Sequence, residues 1–193
     1  TVFEDEAAEI GTEARRHTFR WTPALVDLDL DGDLDLVEAT GHVYRAEHFA
    51  AVGARGPEAQ ATNLFDNEQG SLVAVETDPG DGLSAETNAR GLAVADLDDD
   101  GRPDLVLAGF GRPQVLRNVT PRQGHWLRVR PVDRAPNTAA VGARVEVTSP
   151  ALSAALVRHV KVGEGYGGNF DPRLHFGLGP AERVDVTVRW PDG

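Results

Sequence analysis

The apolar residues of this chain fall in short alternating runs. Three such runs are Leu127–Val129, Ala143–Val147 and Val184–Trp190. In each run apolar and polar side chains alternate, which gives a β-strand one apolar and one polar face. No long window has the 3.6-residue apolar spacing of a helix, and 21 glycines and 12 prolines interrupt the chain. The pattern predicts an all-β protein of short strands joined by frequent turns.

An internal repeat is the most informative feature of the sequence. Residues Ala24–Ala39 and Ala93–Ala108 are identical at ten of sixteen positions. Downstream of the two segments, Asn63–Asn67 resembles Val115–Asn118. Repeats at intervals of this general size are typical of propellers and solenoids.

Each repeat contains the acidic motif D-x-D-x-D-G-x-x-D-L. Its aspartates are Asp27, Asp29, Asp31 and Asp35 in the first copy and Asp96, Asp98, Asp100 and Asp104 in the second. Closely spaced carboxylates repel one another unless a cation neutralises them. Oxygen ligands at alternate positions, with glycine at the bend, suit calcium better than magnesium, which retains more water. We therefore expect two Ca²⁺ sites, the alternative being two solvated acidic turns.

The seventh position of the motif differs between the copies, being Asp33 in the first and Arg102 in the second. A backbone carbonyl from this position would complete the ligand set whatever the side chain. An EF-hand is the rival interpretation, because Glu38 occupies position 12 of the first copy. The second copy has Leu107 there, and strand-like apolar runs follow both copies. We therefore expect Glu38 to be a strand residue.

The repeats resemble FG-GAP/VCBS repeats, the calcium-binding blades of integrin-α-like propellers. Similarity to the cartilage-acidic-protein family extends to Gly41–Tyr44 and Asn63–Asn67. The C-terminal part resembles the ASPIC/UnbV domain of that family, through the motifs His125–Leu127, Ala140–Val145, Asp171–Gly179 and Val188–Gly193.

The resemblance implies a partial β-propeller of about two calcium-binding blades over residues 1–118. A small β-sandwich-like domain would follow over residues 119–193. A propeller typically has about four to eight blades. We therefore expect the chain to be a fragment of a larger propeller.

The charge distribution agrees with a boundary near residue 118. The chain has 31 acidic and 19 basic residues and a net charge of −12; residues 1–118 carry −15 and residues 119–193 carry +3. This balance argues against a nucleic-acid partner. Arginines on the C-terminal strands are expected to form a solvated face, with docking onto the acidic N-terminal part as the alternative. Cysteine is absent, which excludes thiolate chemistry, and no apolar stretch is long enough to span a membrane.

No catalytic residue or organic cofactor site emerges from the sequence. Serine-hydrolase and zinc-hydrolase motifs are absent, and His175 is expected to be a structural histidine bonded to a turn backbone. We expect a non-catalytic, calcium-binding recognition module that is secreted, extracellular or periplasmic. Its partner would be another protein or the remaining propeller blades. The alternatives are a structural accessory subunit of a larger bacterial assembly and, third, a biosynthesis-associated protein.

Overall fold

A computed structural model describes residues 3–43, 59–121, 123–163, 165–166 and 171–192. These residues form twelve β-strands and two short 3₁₀ helices, Thr12–Arg15 and Gly82–Ser84. The all-β prediction is confirmed. Tyr44 and Gly193, which belong to motifs named above, lie outside the described residues. No helix in the described ranges is long and apolar enough to cross a membrane.

The N-terminal part contains two antiparallel sheets in which neighbouring strands follow one another along the chain. The first sheet consists of β1 (Arg20–Val26), β2 (Asp35–Thr40), β3 (Asn63–Glu68) and β4 (Ser71–Ala74). The second consists of β5 (Asn88–Ala95), β6 (Asp104–Phe110) and β7 (Gln114–Leu116). One acidic motif joins the first two strands of each sheet. Because strands flank both motifs, the EF-hand alternative is excluded.

The two N-terminal sheets share one apolar core. Buried residues of β1 and β2, such as Ala24 and Val37, pack with Leu92 of β5 and Leu107 of β6. The strands that bracket the acidic motifs therefore supply the buried residues of this shared core. This burial holds the two motifs at neighbouring ends of one packed unit.

The C-terminal part is a sandwich of two antiparallel sheets. Its strands are β8 (His125–Val129), β9 (Arg144–Thr148), β10 (Leu156–His159), β11 (Leu174–Gly179) and β12 (Asp185–Arg189). The order is β10-β9-β12 in one sheet and β11-β8 in the other. Val145 and Val147 of β9 pack against Phe176 and Leu178 of β11. The alternating runs seen in the sequence thus supply the two facing surfaces of this core.

The sandwich contacts the first acidic motif through backbone atoms. The amide of Gly179 donates to the carbonyl of Leu30 at 3.0 Å, and the amide of Gln123 donates to the carbonyl of Asp29 at 2.9 Å. No side chain fits at Gly177, where a Cβ would lie 1.9 Å from Oδ2 of Asp27. The glycines of the C-terminal motif therefore permit close contact between the sandwich and the acidic N-terminal part.

Candidate metal centre

The two acidic motifs form loops with the same backbone course, named loop 1 (residues 27–35) and loop 2 (residues 96–104). The fourth residue is left-handed in both, with φ 70° at Leu30 and 58° at Asp99. The sixth is left-handed too, with φ 106° at Gly32 and 90° at Gly101. A non-glycine residue with positive φ is uncommon, so its recurrence at one position marks a shared loop structure. The glycine of the motif occupies the second left-handed position.

The first aspartate of each loop accepts hydrogen bonds from the turn that it begins. Asp27 accepts from the amides of the fourth and sixth residues at 2.8 and 3.0 Å. Asp96 accepts from those of the fifth and sixth residues at 3.1 and 2.9 Å. Both carboxylates are buried, with 2% and 6% of the residue exposed. These bonds draw the turn around the carboxylate that begins it.

The last aspartate of each loop ties the loop to a more distant segment of the same sheet. Asp35 accepts from the amide of the second loop residue at 2.9 Å and from that of Asn67 at 3.0 Å. Asp104 accepts from the corresponding amide at 2.9 Å and from that of Asn118 at 2.8 Å. The structure therefore confirms that the segments ending in Asn67 and Asn118 are equivalent. The aspartate at position 9 of each motif therefore holds the loop to its sheet, a role that the motif alone did not reveal.

Each loop brings three carboxylates together. Oxygens lying within 4.8 Å of one another come from Asp27, Asp29 and Asp31 in loop 1 and from Asp96, Asp98 and Asp104 in loop 2. Of the remaining side chains expected to bind metal, Asp35 and Asp100 lie outside these two groups. The expected contributions of the Asp33 and Arg102 carbonyls stay predictions.

In loop 1, burial and mutual repulsion disfavour the charged forms of several carboxylates. Burial, followed by repulsion from Asp31, raises the pKa of Asp27 to about 7. Burial also raises the pKa of Asp35 to about 7 and raises that of Asp29. Within the described ranges no basic side chain forms an ion pair with a loop 1 aspartate; the amide of Gln123 donates to Asp29 instead. An all-oxygen donor set whose negative charge is unpaired fits a hard divalent cation.

Loop 2 receives a cation from the sandwich. Arg128 of β8 forms ion pairs with Asp96 at 3.2 Å and with Asp99 at 2.6 Å. Its side chain is only 19% exposed, and that of Asp96 is 1% exposed. The expectation of a solvated arginine face is therefore wrong for Arg128. The alternative, docking onto the acidic N-terminal part, describes this residue correctly, because the opposite charges of the two parts meet here.

Two further arginines lie at loop 2. Arg102, the variable seventh residue, pairs through its guanidinium with Asp100. Arg117 lies farther out, with its Nε 3.8 Å from Asp98 and 64% of its side chain exposed. Three arginines thus form four contacts with loop 2 aspartates; the side chains of Arg128 and Arg102 are mostly buried, and that of Arg117 is exposed. Of these three arginines only Arg128 belongs to the basic part after residue 118, so the charge distribution of the sequence indicated one of the pairings and not the other two.

His175 joins the sandwich to the bend of loop 2. Its Nε2 lies 2.9 Å from the carbonyl oxygen of Gly101, and its ring stacks on Trp126 with 5.9 Å between centroids. A Cβ at Gly101 would lie 2.0 Å from Nε1 of that tryptophan. The prediction of a structural histidine bonded to a turn backbone agrees with this geometry.

Glu38 takes no part in either loop. It is a buried residue of β2. Its carboxylate lies 3.2 Å from Nε of Arg20 and accepts a 2.9 Å hydrogen bond from Asn63. Its expected place in a strand is confirmed.

Comparison with known proteins agrees with part of this organisation. Residues 133–193 match the family described as ASPIC and UnbV. The chain is 40% identical over 130 residues, 65% of its length, to cartilage acidic protein 1 of Homo sapiens, and covers 19% of that protein. It is 35% identical over 150 residues, 75% of its length, to the protein of the same name from Xenopus tropicalis, and covers 23% of it.

The chain thus spans about a fifth of the length of the curated relatives it matches. The resemblance of the C-terminal part to ASPIC/UnbV is confirmed over residues 133–193. The FG-GAP resemblance and the boundary at residue 118 stay predictions. Residues 133–193 of this chain therefore match the ASPIC and UnbV family, and most of the chain is similar to cartilage acidic protein 1.

Proposed function

We propose that this chain is a non-catalytic, calcium-stabilised recognition module in which loop 1 and loop 2 each bind one Ca²⁺. The observation that carries the proposal is the recurrence of one loop structure with three carboxylates brought together in each copy. We propose calcium because every side-chain donor is a carboxylate and the loops offer additional backbone carbonyls as oxygen ligands.

The calcium ligands would be the carboxylates grouped in each loop, together with the carbonyls of Asp33 and Arg102. Calcium would neutralise the loops and add its binding free energy to the folding free energy. Two ions would change the net charge of the chain from −12 to −8. Loop 1 supports this role most directly, because burial and mutual repulsion already raise the pKa of Asp27 to about 7.

The larger assembly that we propose is a propeller in which β1–β4 and β5–β7 are neighbouring blades. Both sheets run as antiparallel meanders, both carry the acidic loop between their first two strands, and they share one core. The chain's relatives are about five times as long as the matched part, which leaves room for further blades. The ASPIC/UnbV sandwich, bonded to both loops, would form part of the recognition surface.

We further propose an extracellular or periplasmic location. The relatives' name associates them with cartilage, a tissue rich in extracellular matrix. Calcium sites of moderate affinity are occupied readily outside the cell, where extracellular modules bind calcium with dissociation constants of about 10⁻⁴–10⁻³ M. The partner on that surface would be a protein or the remaining blades.

The proposal is tested by differential scanning calorimetry in calcium and in chelator. Calcium at about 100 times its dissociation constant should add about 2.7 kcal/mol for each occupied site. Asp29→Ala and Asp98→Ala should each remove the stabilisation of one site, whereas the exposed control Glu182→Ala should leave both. A melting temperature that is the same in calcium and in chelator would overturn the calcium assignment.

A further inference from the structure

A cleft of about 250 Å³ lies between the N-terminal sheets and the sandwich. The ends of β1 and β5 form one wall, with apolar residues such as Val26 and Val94. Strands β10 and β11 and the segment before β11 form the other, with Val157 and Leu174 among its apolar residues. Mostly apolar clefts with a few convergent polar groups are typical of small-molecule sites, which range upward from about 300 Å³. This cleft therefore suits a small ligand.

Cationic side chains outnumber carboxylates around the cleft. The cations are Arg128, Arg158, Lys161 and Arg173, and the carboxylates are Asp27, Asp96 and Asp171. Two of the carboxylates are engaged by arginines. Arg128 pairs with Asp96 at 3.2 Å, and Nε of Arg173 lies 2.9 and 2.8 Å from the two oxygens of Asp171.

Arg158 is the cleft arginine whose charge is least satisfied. Its Nη1 donates to the neighbouring carbonyl of Val157 at 3.0 Å, and its Nη2 is buried with no hydrogen-bond partner among the described residues. The guanidinium lies over the ring of Phe176, 5.4 Å from its centroid. Burial lowers the pKa of Arg158, and Asp27 only partly offsets this. Both oxygens of that aspartate already accept hydrogen bonds from loop 1.

We propose that this cleft binds a small organic carboxylate with an apolar body, with Arg158 as its anchor. A guanidinium pairs with a carboxylate through two parallel hydrogen bonds, which would satisfy the buried N–H groups of this arginine. The apolar walls would cover the ligand's carbon chain. The site does not require metal in the loops, and calcium next to Asp27 would strengthen it by making the cleft more positive.

The first experiment uses the unaltered protein and two ligands of the same shape. Valerate and its uncharged amide, valeramide, are titrated into the ¹⁵N-labelled chain and followed by NMR, in metal-free buffer and again with calcium. We expect saturable shifts at cleft residues with valerate and at least about tenfold weaker binding of the amide, since the amide forms no charge-assisted pair. Equal binding of the two ligands, or no binding of valerate in either buffer, overturns the proposal.

Substitutions then assign the anchor. Arg158→Gln should weaken valerate binding about tenfold or more, and Arg158→Lys should weaken it less because the charge remains. The exposed Arg183, which is absent from the cleft lining, provides the matched control Arg183→Gln. Unchanged valerate affinity in a folded Arg158→Gln protein overturns the assignment. The calorimetric test in calcium and chelator is a separate measurement, so either proposal can fail without the other.

Discussion

Loop 1 and loop 2 share a backbone and differ in how their charge is compensated. The left-handed residues recur at the same two positions, and the first and last aspartates accept equivalent backbone hydrogen bonds. In loop 1 Asp27 and Asp35 are buried, and the segment before β8 donates only an amide, that of Gln123, to a carboxylate of the loop among the described residues. In loop 2 the sandwich donates a guanidinium, that of Arg128. A repeat can therefore preserve the shape of a site while its charge is changed by a substitution within the loop, Arg102 for Asp33, and by a docked residue, Arg128.

This difference predicts different dependence on an external cation. Neighbouring carboxylates in loop 1 become stable in the charged form only when a cation offsets their repulsion and burial. Loop 2 already contains cations, and a metal there must compete with Arg128 for Asp96. We therefore expect calcium to bind loop 1 more tightly than loop 2.

The largest expected effect is that of removing Arg128. In metal-free protein, Arg128→Gln should lower the free energy of unfolding by about 3 kcal/mol, since it leaves the carboxylate of Asp96, only 1% exposed, without its cation. Urea denaturation in chelator measures the loss. The exposed neighbour Arg130 on the same segment gives the control Arg130→Gln, which should cost less than about 0.5 kcal/mol.

The same substitution should bring the two loops closer together in calcium affinity. With the competing guanidinium gone, loop 2 of Arg128→Gln should bind calcium more tightly than in the unaltered chain, as seen in a calcium titration. Equal stability losses for Arg128→Gln and Arg130→Gln would mean that the ion pair does not compensate loop 2. The two loops would then not differ in the way that their charge is compensated.

The second effect is the loss of stability on replacing the glycine at the bend of loop 2. A control glycine separates the cost of backbone conformation from the cost of packing. Gly101→Ala should cost about 1 kcal/mol for its positive φ and about 1–3 kcal/mol more for overlap with Trp126. Gly70 has φ 99° with open space around it, so Gly70→Ala should cost only the first part. Thermal unfolding of both variants gives the difference. If both lost the same stability, the tight contact between the sandwich and loop 2 would be refuted.

The sequence was sufficient to predict the all-β class, to find the repeat and to predict that most of the loop aspartates lie close together. The spacing of Asp27, Asp29 and Asp31 sets their proximity through local turn geometry, which a motif encodes directly. The same holds for the equivalence of Asn67 and Asn118, because each follows its acidic loop within one sheet.

The charge pairing could not be predicted because it depends on contacts between distant segments. Arg128 lies 32 residues from Asp96 along the chain, and nothing in its local sequence distinguishes it from the exposed Arg130. Only the docking of the sandwich decides which arginine is buried. Arg158 was expected only as one of the arginines on the C-terminal strands, and its place in the cleft could not be predicted for the same reason.

The third effect is the pH dependence that loop 1 contributes. Folding raises the pKa values of Asp27 and Asp35 from 3.8 to about 7. The folded state therefore binds these protons more tightly than the unfolded state, and their stabilising contribution is complete below about pH 4 and lost as the pH rises through 7. In chelator, the unaltered protein should lose more than about 1 kcal/mol relative to Asp27→Asn between these pH values.

Calcium should reverse this dependence, because the metal binds the deprotonated carboxylates. Calcium stabilisation should therefore fall as the pH drops from 8 to 6, and the fall should be smaller in Asp29→Ala, which lacks a complete loop 1. Stability curves that run parallel for the unaltered protein and Asp27→Asn in chelator would contradict the raised pKa.

The smallest expected effect concerns the outermost arginine of loop 2. Arg117 and Asp98 are 64% and 40% exposed and 3.8 Å apart, so water and salt screen their attraction. Arg117→Ala should change the free energy of unfolding by less than about 0.5 kcal/mol, and the change should vanish at high salt. A loss comparable to that of Arg128→Gln would show that exposed arginines compensate loop 2 as effectively as buried ones, and burial would no longer explain how the two loops differ.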